Sequence, residues 1–139
     1  MPFQVPPSGK PDIDGILWGS SWDFLKLSYS FPTSASSYAY SSGLTGFARF
    51  TSTQIAAATK AMKNVDAVCG LSITKAANAA DGNLRWAVAA EINYFDGQGS
   101  HTPGFGNLSA EGNPPDPEIP AYAQGDMWFI KTKYNTPVI

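Results

Sequence analysis

The stretch from Thr51 to Thr74, TSTQIAAATKAMKNVDAVCGLSIT, decides the fold because it holds a complete helix followed directly by a strand. Thr51 and Gln54 form the pattern of a capping box, which marks a helix start. Gly70 is the residue type that most often follows a helix end. Apolar residues recur at spacings of 3, 4, 3 and 4 and therefore lie on one face of a helix: Ile55, Ala58, Met62, Val65 and Cys69. The sequence therefore predicts a core-packing helix from Ser52 to about Cys69.

Strand patterns lie on both sides of this helix. Leu25–Phe31 alternates between apolar and polar residues until Pro32 removes a ladder donor. Leu71–Thr74 and Leu84–Ala89 follow the helix, and Gly125–Ile130 is a further hydrophobic strand near the end. A strand, helix, strand succession implies a right-handed crossover and parallel pairing. We therefore predict an α/β fold with a mostly parallel sheet and the helix on one face.

Segments rich in proline, glycine and serine separate these elements. Residues 1–15 begin with four prolines within eleven residues and are predicted to form an extended N-terminal arm. Asp12 caps a predicted short helix, and residues 16–139 form the remaining domain. Thr33–Gly46 has turn chemistry and is predicted to be a loop with at most a short ribbon.

Composition excludes several classes of function. The chain has 139 residues, a formal charge of −2 and a pI near 5.1, so it lacks the basic field that nucleic acid binding requires. No apolar run approaches the roughly 20 residues that cross a bilayer, so we expect no membrane partner. Cys69 is the only cysteine and is predicted to be a buried, inert thiol. Met1–Pro7 lacks the charged and apolar regions of a signal peptide.

The stretch from Tyr94 to Ala123 differs from the rest of the chain. It contains five glycines, five prolines and the only histidine, His101, around one candidate strand at Phe105–Ser109. A long irregular segment inside a compact domain is usually a functional loop or a surface excursion. We interpret this one as a functional loop.

Taken in order, these pieces resemble the serralysin-like branch of the metzincin zinc proteases. The resemblance covers roughly residues 16–135 and rests on motifs in a fixed order: Leu27–Pro32, Phe47 and Phe50 before Thr51–Gln54, Gly70–Thr74, Gly82–Ala87, Phe95–Gly97, Gly104–Asn107 and Gly125–Phe129. It implies the N-terminal half of a catalytic domain that stops before the zinc-binding helix. The implied fold is a twisted, mostly parallel five-stranded sheet with an antiparallel edge strand and one long helix on one face.

The resemblance also implies a substrate-binding edge at Gly104, Phe105, Gly106 and Asn107, where polypeptide substrate would lie as an extra strand. Gly106 would let the substrate backbone approach closely. A glycine-rich turn with no ligand is the alternative for these four residues. In relatives, zinc is held by the His-Glu-x-x-His-x-x-Gly-x-x-His motif, which this sequence lacks.

Catalytic zinc needs three protein ligands, so His101 alone cannot provide the site. We therefore expect no cofactor, no catalytic residue and no activity in these 139 residues by themselves. The resemblance implies an extracellular location, and we expect an apolar surface left uncovered to favour self-association. The other hypothesis is a non-catalytic secreted module that binds peptide or glycan through Tyr94, Phe95, Phe105 and Trp128. The coding sequence after Ile139 distinguishes the two hypotheses.

Overall fold

The computed structural model describes residues 3–11, 20–92, 110–112 and 121–130. The elements in these ranges are β1 (Phe3–Gln4), β2 (Ser20–Ser21), β3 (Lys26–Ser30), β4 (Leu44–Thr45), α1 (Ser52–Val68), β5 (Ser72–Lys75), β6 (Leu84–Ala89), β7 (Glu91–Ile92), β8 (Ala110–Gly112) and β9 (Asp126–Ile130).

The main sheet has the strand order β5-β3-β6-β9-β8. Strands β5, β3, β6 and β9 are parallel, and the three-residue β8 pairs antiparallel with β9 at one edge. The α/β class and the parallel pairing across the helix are therefore confirmed. Two short antiparallel ribbons lie outside this sheet, one between β1 and β2 and one between β4 and β7.

Helix α1 begins as its sequence predicts. The Thr51 hydroxyl accepts a hydrogen bond from the Gln54 amide at 3.3 Å, and the Gln54 side chain accepts one from the Thr51 amide at 2.8 Å. This reciprocal pair is the capping box. The helix ends at Val68, Cys69 is already extended, and β5 begins three residues later at Ser72.

The predicted apolar stripe is only partly core. Ala58 and Met62 are buried, but Val65 keeps 41% of its surface exposed and Cys69 is half-buried rather than buried. The buried positions come before Val65 in the helix, so the stripe packs on the sheet only along the earlier turns of α1.

The sheet has two differently covered faces. We call the side beneath α1 the helix face; its cluster contains Tyr29, Phe31, Phe50, Ala58, Met62, Trp86 and Val88, with Met127 and Phe129 partly buried against it. We call the other side the loop face; its cluster contains Tyr38, Tyr40, Ala87, Ala89, Ile92, Ala123 and Trp128. Alternation along β6 and β9 sends successive side chains to opposite faces.

The starts of β6 and β9 fit closely against each other and against the middle of β3. The Asn83 side-chain oxygen accepts a hydrogen bond from the Ser28 amide at 2.8 Å, which extends the β3–β6 pairing by one residue. Gly125 has a φ of 80°, and a Cβ there would lie 2.0 Å from the Asn83 carbonyl oxygen. Only glycine fits this position, because it permits both the left-handed backbone and the contact.

The segment from Thr33 to Gly46 is more ordered than the sequence suggests. It contains two single-turn 3₁₀ helices, Ala35–Ser37 and Ser41–Gly43, before its last residues pair as β4. The predicted short ribbon is present, and the segment also contributes Tyr38 and Tyr40 to the core. The turn-like composition of this segment did not predict that these two tyrosines are buried.

Candidate substrate edge and a buried ion-pair network

The predicted substrate-binding residues Gly104, Phe105, Gly106 and Asn107 lie outside the described residues, as does His101. The nearest described element is β8, which begins three positions after Asn107. Its register against β9 pairs Ala110 with Phe129 and Gly112 with Met127. The chain therefore reaches the edge of the sheet immediately after the predicted substrate segment.

A buried ion pair joins the second residue of β6, Arg85, to the first residue of β9, Asp126. Arg85 and Asp126 are direct partners in the parallel register, so both side chains point to the loop face. The Arg85 Nε lies 2.6 Å from Asp126 Oδ1, and an Nη2 lies 2.8 Å from Oδ2. This two-pronged geometry is the strong form of an arginine–carboxylate contact. The Asp126 side chain is fully buried, and that of Arg85 is 14% exposed.

The same arginine holds two loops. Its Nη1 donates to the Ser37 carbonyl at 3.0 Å, and its Nη2 donates to the Tyr122 carbonyl at 2.8 Å. The guanidinium also stacks over the Tyr38 ring at 4.6 Å from the ring centre. Arg85 thus connects the 3₁₀ segment, the turn before β9 and β9 itself.

Tyrosine and tryptophan complete the network. The Tyr40 hydroxyl donates to Asp126 Oδ2 and accepts a hydrogen bond from Trp128 Nε1 at 3.2 Å. By contrast, the buried Tyr38 hydroxyl has no hydrogen-bond partner among the described residues. Apart from the Tyr38 hydroxyl, the side chains of this network thus have hydrogen-bond partners, as a stable buried polar cluster requires.

Burial and charge act in opposition on these groups. Burial raises the pKa of the Asp126 carboxyl, and the hydrogen bond and charge of Arg85, together with the hydrogen bond from Tyr40, offset only part of that rise. Burial lowers the pKa of Arg85, but its contacts with Asp126 and the two tyrosines outweigh burial, so the pKa rises. The pKa of Tyr38 is raised far above its ordinary value, mainly by burial. The paired geometry favours the ionised Arg85–Asp126 pair.

The position of the network favours a stabilising role over ligand binding or catalysis. Ligands of open parallel sheets bind at the carboxyl ends of the strands. Arg85 and Asp126 lie at the amino ends of β6 and β9, and both are enclosed. The sequence signal that could have found them is one charged residue at the start of each of two otherwise apolar strands.

A groove of about 440 Å³ lies at the carboxyl end of β3, between that strand and the start of α1. Its lining combines apolar rings with hydroxyls and one arginine: Phe31, Thr33, Arg49, Phe50, Thr51, Ser52 and Ile55. Its position matches the usual place for ligands in α/β folds. No described residue marks it for a particular ligand.

The structure corrects one residue of the binding-module hypothesis. Trp128 was predicted to be an exposed aromatic, but its side chain is fully buried on the loop face. It packs against Tyr38 with ring centres 4.6 Å apart, so it cannot stack on a glycan. The other aromatics of that hypothesis, Tyr94, Phe95 and Phe105, lie outside the described residues.

The described residues give little sign of metal or membrane chemistry. Within 3–11, 20–92, 110–112 and 121–130, no three His, Cys, Asp or Glu side chains are grouped to hold a metal ion. In the same ranges, no helix is both long and apolar enough to cross a membrane. No protein-family model matches the chain, and no curated protein matches it.

Proposed function

We propose that this chain supplies the sheet scaffold and the substrate-binding edge of a secreted, metzincin-like zinc endopeptidase. The observation that carries the proposal is the edge of the main sheet, where β8 pairs antiparallel with β9 at the end of four parallel strands. The resemblance implies this combination of parallel strands and an antiparallel edge. Gly104–Asn107, just before β8, would form the part that pairs with the substrate backbone.

Uneven cover of β9 also supports the proposal. Its loop-face residues Asp126 and Trp128 are fully buried, whereas its helix-face residues Met127 and Phe129 are only partly buried. Helix α1 lies over β3 and β5, at the other side of the sheet. A second helix over β6 and β9 would cover this apolar surface, and a zinc-binding helix would have that place. Without it, the same surface would favour self-association.

The residues present do not fit a catalytic zinc site. The 139-residue sequence has one histidine and no His-Glu-x-x-His motif, whereas three protein ligands and an open position are needed. The metal and the group that activates water would come from sequence beyond Ile139. We therefore assign no hydrolytic step to these residues and expect the chain alone to bind no stoichiometric zinc.

The test begins with the coding sequence after Ile139. If it encodes a His-Glu-x-x-His helix, the chain extended through that helix should contain zinc and cleave an extended peptide. In that protein, Gly106→Pro should lower kcat/KM at least tenfold with zinc content unchanged, because proline removes a backbone donor from the substrate strand. Pro115→Ala, in the neighbouring proline-rich loop, is the matched control and should keep kcat/KM.

Two results would contradict the proposal. A stop codon directly after Ile139, with a monomeric chain that binds no hydrophobic dye, would favour the binding-module hypothesis. Wild-type kcat/KM in Gly106→Pro, measured on a peptide spanning several subsites, would show that Gly104–Asn107 is only a turn.

A further inference from the structure

The outer edge of β5 is the other end of the main sheet. Among the described strands, β5 pairs only with β3. The Ser72 amide donates to the Leu25 carbonyl at 2.8 Å, and the Ala76 amide donates to the Tyr29 carbonyl at 2.9 Å, so alternate residues face β3. The amides of Ile73 and Lys75, which lie between them, point to the open side. Open edges of this kind are templates for pairing with another strand.

One side chain occupies this edge. Asp66, in the last turns of α1, accepts a hydrogen bond from the Ile73 amide at 2.7 Å. The contact crosses from helix to strand, and the Asp66 carboxylate takes the position where the carbonyl of an added strand would lie. The adjoining helix residues Val65 and Val68 are exposed, so apolar packing does not explain why the helix end is tied here.

We propose that Asp66 closes the β5 edge against pairing with a second copy of this chain. Two β5 strands related by a twofold axis can pair antiparallel about Thr74, and the hydrogen-bonded partners are then Ile73 of one copy and Lys75 of the other. This register keeps the Lys75 side chains of the two copies apart, and it gives a hydrogen-bond acceptor to both outward amides of β5, those of Ile73 and Lys75. The proposal does not depend on the protease hypothesis.

The closure acts in two ways. The twofold pairing needs each Ile73 amide to donate to the Lys75 carbonyl of the other copy, and Asp66 already accepts from that amide. The pairing would also bring each carboxylate against a carbonyl oxygen, which is unfavourable for both. Natural edge strands are commonly protected by such charged groups.

The experiment measures dimerisation of the 139-residue chain by sedimentation velocity over a range of concentrations. Asp66→Ala removes the acceptor and should tighten the dimer Kd at least tenfold. Asp66→Asn separates the two effects; its amide oxygen can still accept from Ile73 but it carries no charge, so its Kd should lie between those of wild type and Asp66→Ala. The double variant Asp66→Ala with Lys75→Pro should return to the wild-type Kd, because proline removes an outward amide that the pairing needs.

Hydrogen exchange on wild-type protein tests the contact without any variant. At concentrations where the chain is monomeric, the Ile73 amide should exchange at least tenfold more slowly than the Lys75 amide on the same open side. Equal exchange of the two amides would overturn the proposal, even if Asp66→Ala failed to fold. An unchanged Kd in folded Asp66→Ala, or a tightening by Asp66→Ala that Lys75→Pro does not reverse, would also overturn it.

Discussion

The helix face and the loop face of this sheet bury comparable aromatic residues by different means. On the helix face, α1 packs Ala58 and Met62 in one cluster with apolar side chains such as Tyr29 and Phe31, and the described residues of that cluster form no ion pair. On the loop face, irregular segments cover Ala87 and Trp128, and the buried Arg85 holds those segments in place. Irregular backbone has carbonyls that need donors, so a buried arginine can serve a loop where it would not serve a helix.

The largest expected effect comes from breaking the ion pair on the loop face. Asp126→Ala leaves the Arg85 guanidinium buried without its counter-charge and should lower the free energy of unfolding by about 3–5 kcal/mol. Arg85→Met should cost a similar amount, because the Ser37 and Tyr122 carbonyls also lose a donor. Urea unfolding monitored by circular dichroism measures both changes.

A double-mutant cycle separates the ion pair from the rest of the network. Arg85→Met with Asp126→Ala should be less destabilised than the sum of the single variants by at least about 1 kcal/mol, since residues of one network couple. Additive losses would mean that the two residues act independently. The loop face would then be held by packing alone, as the helix face is.

A smaller effect is expected on the helix face, where position along α1 decides the result. Met62→Ala removes a buried side chain and should lower the free energy of unfolding by about 2–5 kcal/mol. Val65→Ala, one turn later on the same stripe, should change it by no more than about 0.5 kcal/mol, because Val65 is exposed. Equal losses from both variants would mean that the whole stripe is core.

The two faces differ in how far the sequence predicts them. Periodicity and the capping box predicted α1 and the strands that it covers, because regular elements repeat their contacts at fixed spacing. Tyr38 and Tyr40 escaped prediction, since an irregular segment has no period to reveal which side chains turn inward. The Arg85–Asp126 contact depends on the register between strands far apart in sequence, and a single chain does not disclose register.

The candidate sites show the same limit. The position of β8 at the edge follows from its pairing with β9, which no local pattern in Ala110–Gly112 indicates. The exposure of Val65 depends on how α1 lies against the strands, which helical spacing does not give. The contact of Asp66 with Ile73 joins a helix side chain to a strand amide, so spacing along the helix did not predict it either.

The smallest expected effect at neutral pH concerns the Tyr38 hydroxyl, which is buried without a described partner on the loop face. Tyr38→Phe removes that hydroxyl but keeps the ring beneath Arg85, so at pH 7 the free energy of unfolding should stay equal or rise by up to about 1 kcal/mol. Chemical unfolding at pH 7 measures this change.

Alkaline pH should enlarge the difference between Tyr38→Phe and wild type. Burial raises the pKa of Tyr38 in the folded chain above its value of about 10 in the unfolded chain. Above pH 10 the folded state therefore retains a proton that the unfolded state releases, and wild-type stability falls by up to about 1.4 kcal/mol per pH unit from this group. Tyr38→Phe should lack that part of the decline. Parallel stability curves for the two proteins between pH 9 and 11 would mean that the Tyr38 hydroxyl is hydrated in solution, and that the loop face is less tightly closed than the helix face.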